Sequence, residues 1–360
     1  MDGSDGYTSL PGQDSRVFVG KDGHTYAAAD IDAADYLLDR RRFDSEGDWA
    51  FCRFSSPQIP AVRFGYQLGS FDIGPDPGVR DASLLQLHLE VMTADGGLLW
   101  VPTGRYPGEL LVSSPDAKDV ELSVDGKRIM RISGWPRMSW QMRSDDDELE
   151  VSLDVDIGTV TVLPDCLLPQ SVFAMWETLG RARGFVRVGS DRVDVEGHMF
   201  FDHTRVRHVR HAVPPRSMYL YTTLALDDGS GIFGYYAVDE RGLPIDYYCF
   251  GIHVDASGRG TFLETTETPE IEFDDEGLPR AWHLDWRGEE LAVEASVSVQ
   301  PLPFKKGWGG PSAPESRASW SVFPLVLDST VRVRRTGATT DLRGHGLAEY
   351  FDAAHWFGTG

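Results

Sequence analysis

The sequence predicts an all-β protein made of two antiparallel β-barrel or β-sandwich domains that arose by internal duplication. Three observations lead to this prediction: apolar and polar residues alternate along most segments, Gly-containing turns separate the segments, and one motif occurs twice. The 360 residues are enough for two domains, each with a hydrophobic core of its own.

Alternation with a period of two is clearest in residues 85–91, 149–157 and 291–299. Successive side chains of a strand point to opposite faces, so each of these segments predicts a strand with one buried and one wet face. Glycine supplies the positive φ of tight hairpins, and the predicted turns are Asp125-Gly126, Asp228-Gly229, Glu276-Gly277 and Arg287-Gly288.

Helical periodicity is rare, and it predicts two short helices, at residues 27–42 and 347–355. Residues 301–319 are rich in Pro, Gly and Ser and predict a long loop that carries Phe304 and Trp308. Such a loop is either a lid over an apolar ligand or a surface excursion.

The composition restricts the choice of partners. With 56 acidic against 34 basic residues the net charge is −22, which disfavours nucleic acid and anionic membrane surfaces. A neutral, weakly acidic or apolar partner is therefore expected, a description that a hydrophobic small-molecule substrate meets, and the sequence leaves the oligomeric state open. No apolar run reaches the roughly 18 residues of a membrane span, and residues 1–13 do not resemble a secretory signal. A cytoplasmic protein without integral membrane association is expected.

The repeated motif defines the predicted domains. Residues 194–203 read D-x-x-G-H-x-x-x-D-H and residues 341–350 read D-x-x-G-H-x-x-x-E-Y, each after a Val-Arg-Val segment. Equal spacing with equal flanks predicts duplication. The expected organisation is a flexible N-terminus over residues 1–25, an N-terminal domain over 26–210 and a C-terminal domain over 211–360.

The motif also supplies candidate catalytic residues. In a strand, His198 and Asp202 lie on one face because their spacing is even, and the same holds for His345 and Glu349. A carboxylic acid beside an imidazole can protonate an alkene, and burial raises its pKa towards the working pH. The alternative is a structural corner, in which the histidine and the carboxylate bind backbone groups.

Metal and cofactor sites are not predicted. Residues 196–211 hold four histidines, but they lack the H-x-H and H-E-x-x-H spacings and alternate with arginines, which favours an ion-paired or solvated face. The three cysteines (Cys52, Cys166 and Cys249) lie far apart and predict neither a disulfide framework nor a zinc knuckle. No nucleophile elbow, phosphate loop or dinucleotide fingerprint occurs, so no cofactor is expected.

Aromatic residues on predicted strands are either core residues or the walls of a ligand cavity. Aromatic walls suit isoprenoids or polyketides and stabilise carbocations. The candidate substrate-binding residues are Trp100, Trp176, Tyr236, Tyr248, Phe250 and Tyr350.

The order of several motifs resembles a known superfamily. These are WQMRSDDDELEVSLD (140–154), WETLG (176–180), GFVRV (184–188), VEGHMFFDH (195–203) and LRGHGLAE (342–349). The sequence resembles, over residues 50–352, the two-domain lipocalin-like superfamily of hydroxyneurosporene synthase (carotenoid 1,2-hydratase), AttH-like proteins, kievitone hydratase and fungal Diels–Alderases. In many members a Trp-Gly pair follows the D-H signature, where this chain has Thr204-Arg205.

The resemblance implies two calycin-like barrels with an apolar pocket and cofactor-free water addition or cyclisation. By position, Asp202 and His203 match the D-H pair and Glu349 matches the C-terminal glutamate. The resulting hypothesis is a hydratase or cyclase, a lyase or isomerase, in which Asp202 donates the proton and His203 or His198 sets its state. In this hypothesis Glu349 or Tyr350 assists the proton transfer or orients the groups that take part in it. The alternatives are a non-catalytic carrier of a hydrophobic molecule and a carbohydrate-active sandwich with two carboxylates in a groove.

Overall fold

The computed structural model describes residues 24–30, 47–56, 58–68, 84–92, 98–100, 105–116, 118–163, 173–206, 216–239, 241–244, 249–275, 277–300 and 323–352. Strands dominate these residues, as predicted, and the non-strand elements are two 3-10 turns at Ala28–Asp30 and Gly108–Leu110.

Fourteen of the described strands form the N-terminal sheet: β1 (His24–Ala27), β2 (Gly47–Ser55), β3 (Ala61–Leu68), β4 (Leu84–Met92), β5 (Leu98–Trp100), β6 (Arg105–Pro107), β7 (Leu111–Ser113), β8 (Asp119–Val124), β9 (Lys127–Ser133), β10 (Arg137–Arg143), β11 (Leu149–Ile157), β12 (Thr159–Leu163), β13 (Phe173–Val188) and β14 (Asp191–Val206). Eleven of them follow the order β5-β4-β3-β2-β14-β13-β11-β10-β9-β8-β7 and form a curled half-barrel. Off this path, β12 pairs with β13 and β1, and β6 pairs with β4.

The other nine described strands form the C-terminal sheet: β15 (Arg216–Leu226), β16 (Gly231–Asp239), β17 (Phe250–Val254), β18 (Gly260–Thr265), β19 (Glu270–Phe273), β20 (Pro279–Arg287), β21 (Leu291–Val299), β22 (Phe323–Arg335) and β23 (Ala338–Asp352). Their order is β18-β17-β16-β15-β23-β22-β21-β20-β19. Because β18 also pairs with β20, eight of the strands close into a barrel and β19 lies beside β20.

The two sheets confirm the predicted duplication. Each contains a run of nine strands in the same order, with β2 equivalent to β15, β14 to β23 and β13 to β22. The motif glycines Gly197 and Gly344 are the seventh residues of β14 and β23. Two-residue turns join both motif hairpins, with Val188 paired to Asp191 in one and Arg335 to Ala338 in the other. Asp202 and Glu349 therefore occupy equivalent positions.

The described residues form two compact units. The first takes its residues from Met1–Arg53, Val62–Glu90 and Trp100–Val213. The second takes them from Phe54–Ala61, Val91–Leu99 and Pro214–Gly360.

Most local predictions are confirmed, and the predicted C-terminal helix is wrong. Residues 85–91, 149–157 and 291–299 lie in β4, β11 and β21. Residues 347–352 belong to β23, where pairing with β15 and β22 outweighs the helical preference of the segment. Of the other predicted helix, Ala27 ends β1 and Ala28–Asp30 form a 3-10 turn, whereas residues 31–42 lie outside the described ranges. The predicted loop at 301–319 also lies outside them.

Each sheet packs a hydrophobic core on one face. In the N-terminal sheet this core face carries Phe64, Trp140 and Phe201, whose rings contact edge-on at 5.6 and 5.1 Å. In the C-terminal barrel the core fills the interior and includes Trp282, Trp286 and Tyr350, all 2% exposed or less.

Candidate functional site

Two carboxylates face each other across the β13–β14 hairpin. The register places Glu177 directly opposite Asp202, and the two residues are 1% and 6% exposed. Directly opposed residues of antiparallel strands share a face and have Cβ atoms about 4.5–5.5 Å apart. The hairpin thus holds two buried acids side by side, on the face opposite Phe201.

Arg53 on the neighbouring strand β2 forms an ion pair with Asp202. Its Nη1 donates a short hydrogen bond to Oδ2 of Asp202, and the side chains of both residues are more than nine-tenths buried. A charge-assisted bond of this kind stabilises the ionised carboxylate over the neutral acid. One contact partner of Asp202 is therefore a cation that the sequence analysis did not single out.

Ionisable side chains continue across the next two strands. Arg63 on β3 places Nη1 3.4 Å from Oε2 of Glu90, and Nδ1 of His88 lies 3.8 Å from Oε1 of the same glutamate on β4. Arg63 and His88 are 9% exposed and Glu90 is 2% exposed. We call the set Arg53, Arg63, His88, Glu90, Glu177 and Asp202 the buried ionic row.

The ring of Phe51 on β2 contacts two members of the buried ionic row, Arg63 and His88. The guanidinium carbon of Arg63 lies 4.5 Å from its ring centre, and the His88 ring meets it edge-on at 5.1 Å. Gly65 on β3 permits this close approach of the strands. A Cβ at Gly65 would lie 2.0 Å from the Ala50 carbonyl oxygen, and its φ of +153° also favours glycine.

Apolar residues flank the two opposed carboxylates. Leu179 and Phe200 form the next register pair on the same face, two positions away along the hairpin. Both are buried. An apolar group bound at this position would contact hydrocarbon on one side and the carboxyl groups on the other.

The two candidate histidines lie apart from this carboxylate pair. His203 follows Asp202 in the strand and therefore points to the core face, where its ring stacks on Phe201 at 6.2 Å between ring centres. His198 shares the face of Asp202 but lies four residues away, about 13 Å along a strand, and is opposite Arg181.

Glu349 lies on an aromatic face of the C-terminal barrel. It is 2% exposed, and the register places it opposite Tyr221 on β15. This face also carries Phe250, whose ring contacts the neighbouring aromatic rings at 5.4–6.2 Å between centres. Two predicted site residues, Glu349 and Phe250, therefore occur on a buried and largely aromatic surface.

The remaining predicted substrate-binding residues are dispersed. Tyr236 and Tyr350 belong to the interior of the C-terminal barrel, where burial is the main cause of the raised pKa of Tyr236. Trp100 and Trp176 lie on β5 and β13, for which the backbone is described at these positions. Tyr248 lies outside the described residues.

Cys52 lies between Phe51 and Arg53 on β2 and is fully buried. Burial raises the pKa of its thiol well above the ordinary value, and the negative charge of Asp202 adds to this effect. The thiol therefore stays protonated.

A cavity of about 680 Å³ opens on the N-terminal sheet along β10, β11 and β13. Its walls carry Arg137, Arg181 and Arg183 together with Asp154 and Asp156, all exposed to solvent. A wet surface with charges of both signs does not have the apolar character expected of the site.

Among the described residues, no cluster of three or more metal-binding side chains occurs. No helix in the described part of the chain is long and apolar enough to cross a membrane.

Sequence reasoning missed Glu177, Arg53, Arg63, His88 and Glu90. The sequence does contain a pattern that indicates these residues. Arg53 and Arg63 interrupt otherwise apolar strand segments, and Glu177 lies inside the W-E-T-L-G motif. Charges in such segments indicate buried ion pairs.

No protein-family model matches the sequence, and no curated protein matches it. Among solved structures, the chain is similar to a Nitrosomonas europaea protein assigned as AttH, with a TM-score of 0.57 and 13% identity over 88% of this chain and 94% of that one. Kievitone hydratase from Nectria haematococca has a TM-score of 0.48 and 13% identity, with 86% of this chain and 89% of that chain covered. CghA with Sch210972 has a TM-score of 0.44 and 9% identity, with 86% of this chain and 88% of that chain covered. At such identities the likeness concerns the fold, and the expected resemblance to AttH-like proteins is confirmed at that level by the first of them.

Proposed function

We propose that the protein is a cofactor-independent acid–base enzyme of the hydratase or cyclase type, acting on an apolar isoprenoid or polyketide alkene. The observation that carries the proposal is the buried Glu177–Asp202 pair with Arg53 bound to one member. Two neighbouring carboxyl groups in different surroundings are a common source of one acid and one base.

The surroundings assign the two roles. Arg53 stabilises the carboxylate form of Asp202, which suits a base. The negative charge of Asp202, on the residue directly opposite, favours the neutral form of Glu177, which suits a proton donor. The sequence hypothesis made Asp202 the donor, and the ion pair with Arg53 is the reason for exchanging the roles.

Water addition uses both groups. Glu177 transfers its proton to one alkene carbon, and the neighbouring carbon becomes cationic. A water molecule bonds to this carbon while Asp202 accepts the proton that the water loses. Glu177 has then lost one proton and Asp202 has gained one, so a proton transfer from Asp202 to Glu177 restores the starting state. A cyclisation would use the same donor to begin and the same acceptor to finish.

The apolar neighbours support the substrate class. Leu179 and Phe200 lie beside the acid pair, and Phe51 lies beside Arg53 on the same strand face. Aromatic rings also stabilise a passing carbocation. Glu349 remains a candidate participant, since it occupies the position in the second copy of the motif that is equivalent to Asp202.

A screen in H₂¹⁸O tests the proposal. Acyclic isoprenoid and polyketide alkenes are incubated with the full chain, and mass spectrometry detects a product that has gained one labelled water or has cyclised without a change of mass. Glu177→Gln should reduce formation of this product by about 10²–10⁴-fold while preserving binding of the alkene. A carrier would bind the alkene, form no product and be indifferent to the substitution.

A further inference from the structure

The interior of the C-terminal barrel contains polar atoms in an apolar core. The hydroxyl oxygens of Thr222 and Ser329 and the Nε1 atoms of Trp282 and Trp286 have no hydrogen-bond partner among the described residues. All four residues are more than nine-tenths buried. Buried tryptophan N–H groups normally have a partner, so four such atoms in one barrel require an explanation.

All four side chains point into the barrel. Trp282 and Trp286 belong to the interior core cluster. Thr222 alternates with the cluster residues Leu220 and Leu224 on β15, and Ser329 alternates with Leu327 and Val331 on β22.

The Trp286 indole lies close to the Thr222 side chain. The Trp286 indole lies over Gly234 and Gly251, where a Cβ would meet its ring at 2.2 and 2.8 Å. Gly234 is the register partner of Thr222. The glycines thus make room for an indole that lies beside the Thr222 side chain.

The second tryptophan and hydroxyl group are arranged in a similar way. Val297 on β21 pairs with Trp282 on one side and with Ser329 on the other. Trp282 and Ser329 therefore flank Val297 on the inner wall.

We infer that the C-terminal barrel binds small neutral guests through an oxygen atom that accepts hydrogen bonds. The indole N–H is only a donor, so the guest must be an acceptor, and the Thr and Ser hydroxyls can donate or accept in addition. The guest is neutral because the surrounding leucines and valines would not compensate the desolvation of a charge. The oxygen belongs either to buried water or to a small oxygenated molecule.

Thr222→Val tests this inference, since it removes the hydroxyl and keeps the side-chain shape. If a guest occupies the position, the melting temperature should fall by about 2–4 °C, because a hydrogen bond is lost. If the hydroxyl has no partner, removing it leaves the melting temperature unchanged or raises it. Thr340→Val, at an exposed position of β23, controls for the effect of the exchange on strand formation.

Two further measurements identify the guest and cover a variant that fails to fold. Cross-relaxation from water to the Trp286 indole proton in the unmodified protein indicates buried water, and mass spectrometry after denaturation indicates a retained organic molecule. Thr222→Ser keeps the hydroxyl and should keep the guest. An unchanged or higher melting temperature for Thr222→Val, or an indole proton that contacts neither water nor an organic molecule, overturns the inference. Neither result depends on Glu177 or Asp202, so the proposed function is tested separately.

Discussion

Arg53 on β2 and Asp202 on β14 form a buried ion pair although they are 149 positions apart in the sequence. The pair joins the first long strand of the N-terminal sheet to its motif strand. This contact favours the carboxylate form of Asp202 beside Glu177, and the proposed roles of base and acid rest on it.

Glu177→Gln should reduce turnover of the alkene by about 10²–10⁴-fold, because it keeps the shape of the side chain but removes the proton donor. Glu196→Gln, on an exposed position of β14, is the matched control and should retain full turnover. Single-turnover rates and alkene affinity are measured for both variants. Full activity of Glu177→Gln would exclude this residue as the acid.

Arg53→Met should lower the free energy of unfolding by about 3–5 kcal/mol, because it leaves the Asp202 charge buried without its cation. Arg53→Met combined with Asp202→Asn should recover much of this loss, since the charge is then absent. Urea unfolding of the two single variants and the double variant gives the coupling energy. Additive losses would mean that the pair contributes no coupling.

His253 should make stability depend on pH. Burial and the nearby Arg335 lower its pKa from 6.5 to about 4 in the folded protein. Between these values the unfolded chain binds the proton more tightly, so this contribution is complete above pH 6.5 and is lost progressively as the pH falls towards 4.

The full loss of this His253 contribution lowers the free energy of unfolding by about 3 kcal/mol. Unfolding free energies at pH 7.5 and 4.5 are compared for the parent chain and His253→Gln. The parent should lose about 2–3 kcal/mol more than the variant over this interval. Equal losses would show that His253 titrates normally.

Gly234→Ala should destabilise the protein by about 1–3 kcal/mol, because the new methyl group would lie 2.2 Å from the Trp286 ring. The same exchange should cost less in a Trp286→Leu background, where the ring is absent. Thermal unfolding of the four chains measures the difference. An equal cost in both backgrounds would show that the ring moves aside freely.

Local patterns in the sequence were sufficient to predict the strands, the turns and the duplicated motif. Asp202 became a candidate because its motif recurs in the C-terminal half, where Glu349 takes its place. Its partners could not be found in this way, because the position opposite Asp202 is set by the register of a hairpin and the Arg53 contact by the pairing of distant strands. The C-terminal helix was predicted wrongly for a related reason: the Leu-Ala-Glu segment favours a helix in isolation, and its strand form depends on two neighbouring strands.

The buried ionic row also has a consequence for evolution. Well-packed apolar residues in place of a buried ion network often leave a protein as stable or make it more stable. A descendant without the proposed chemistry would therefore keep or gain stability by replacing Glu177, Asp202 and Arg53 with hydrocarbon side chains. Retention of all three residues would mark the relatives that keep the proposed chemistry, whereas their joint loss would mark those converted to other uses of the same scaffold.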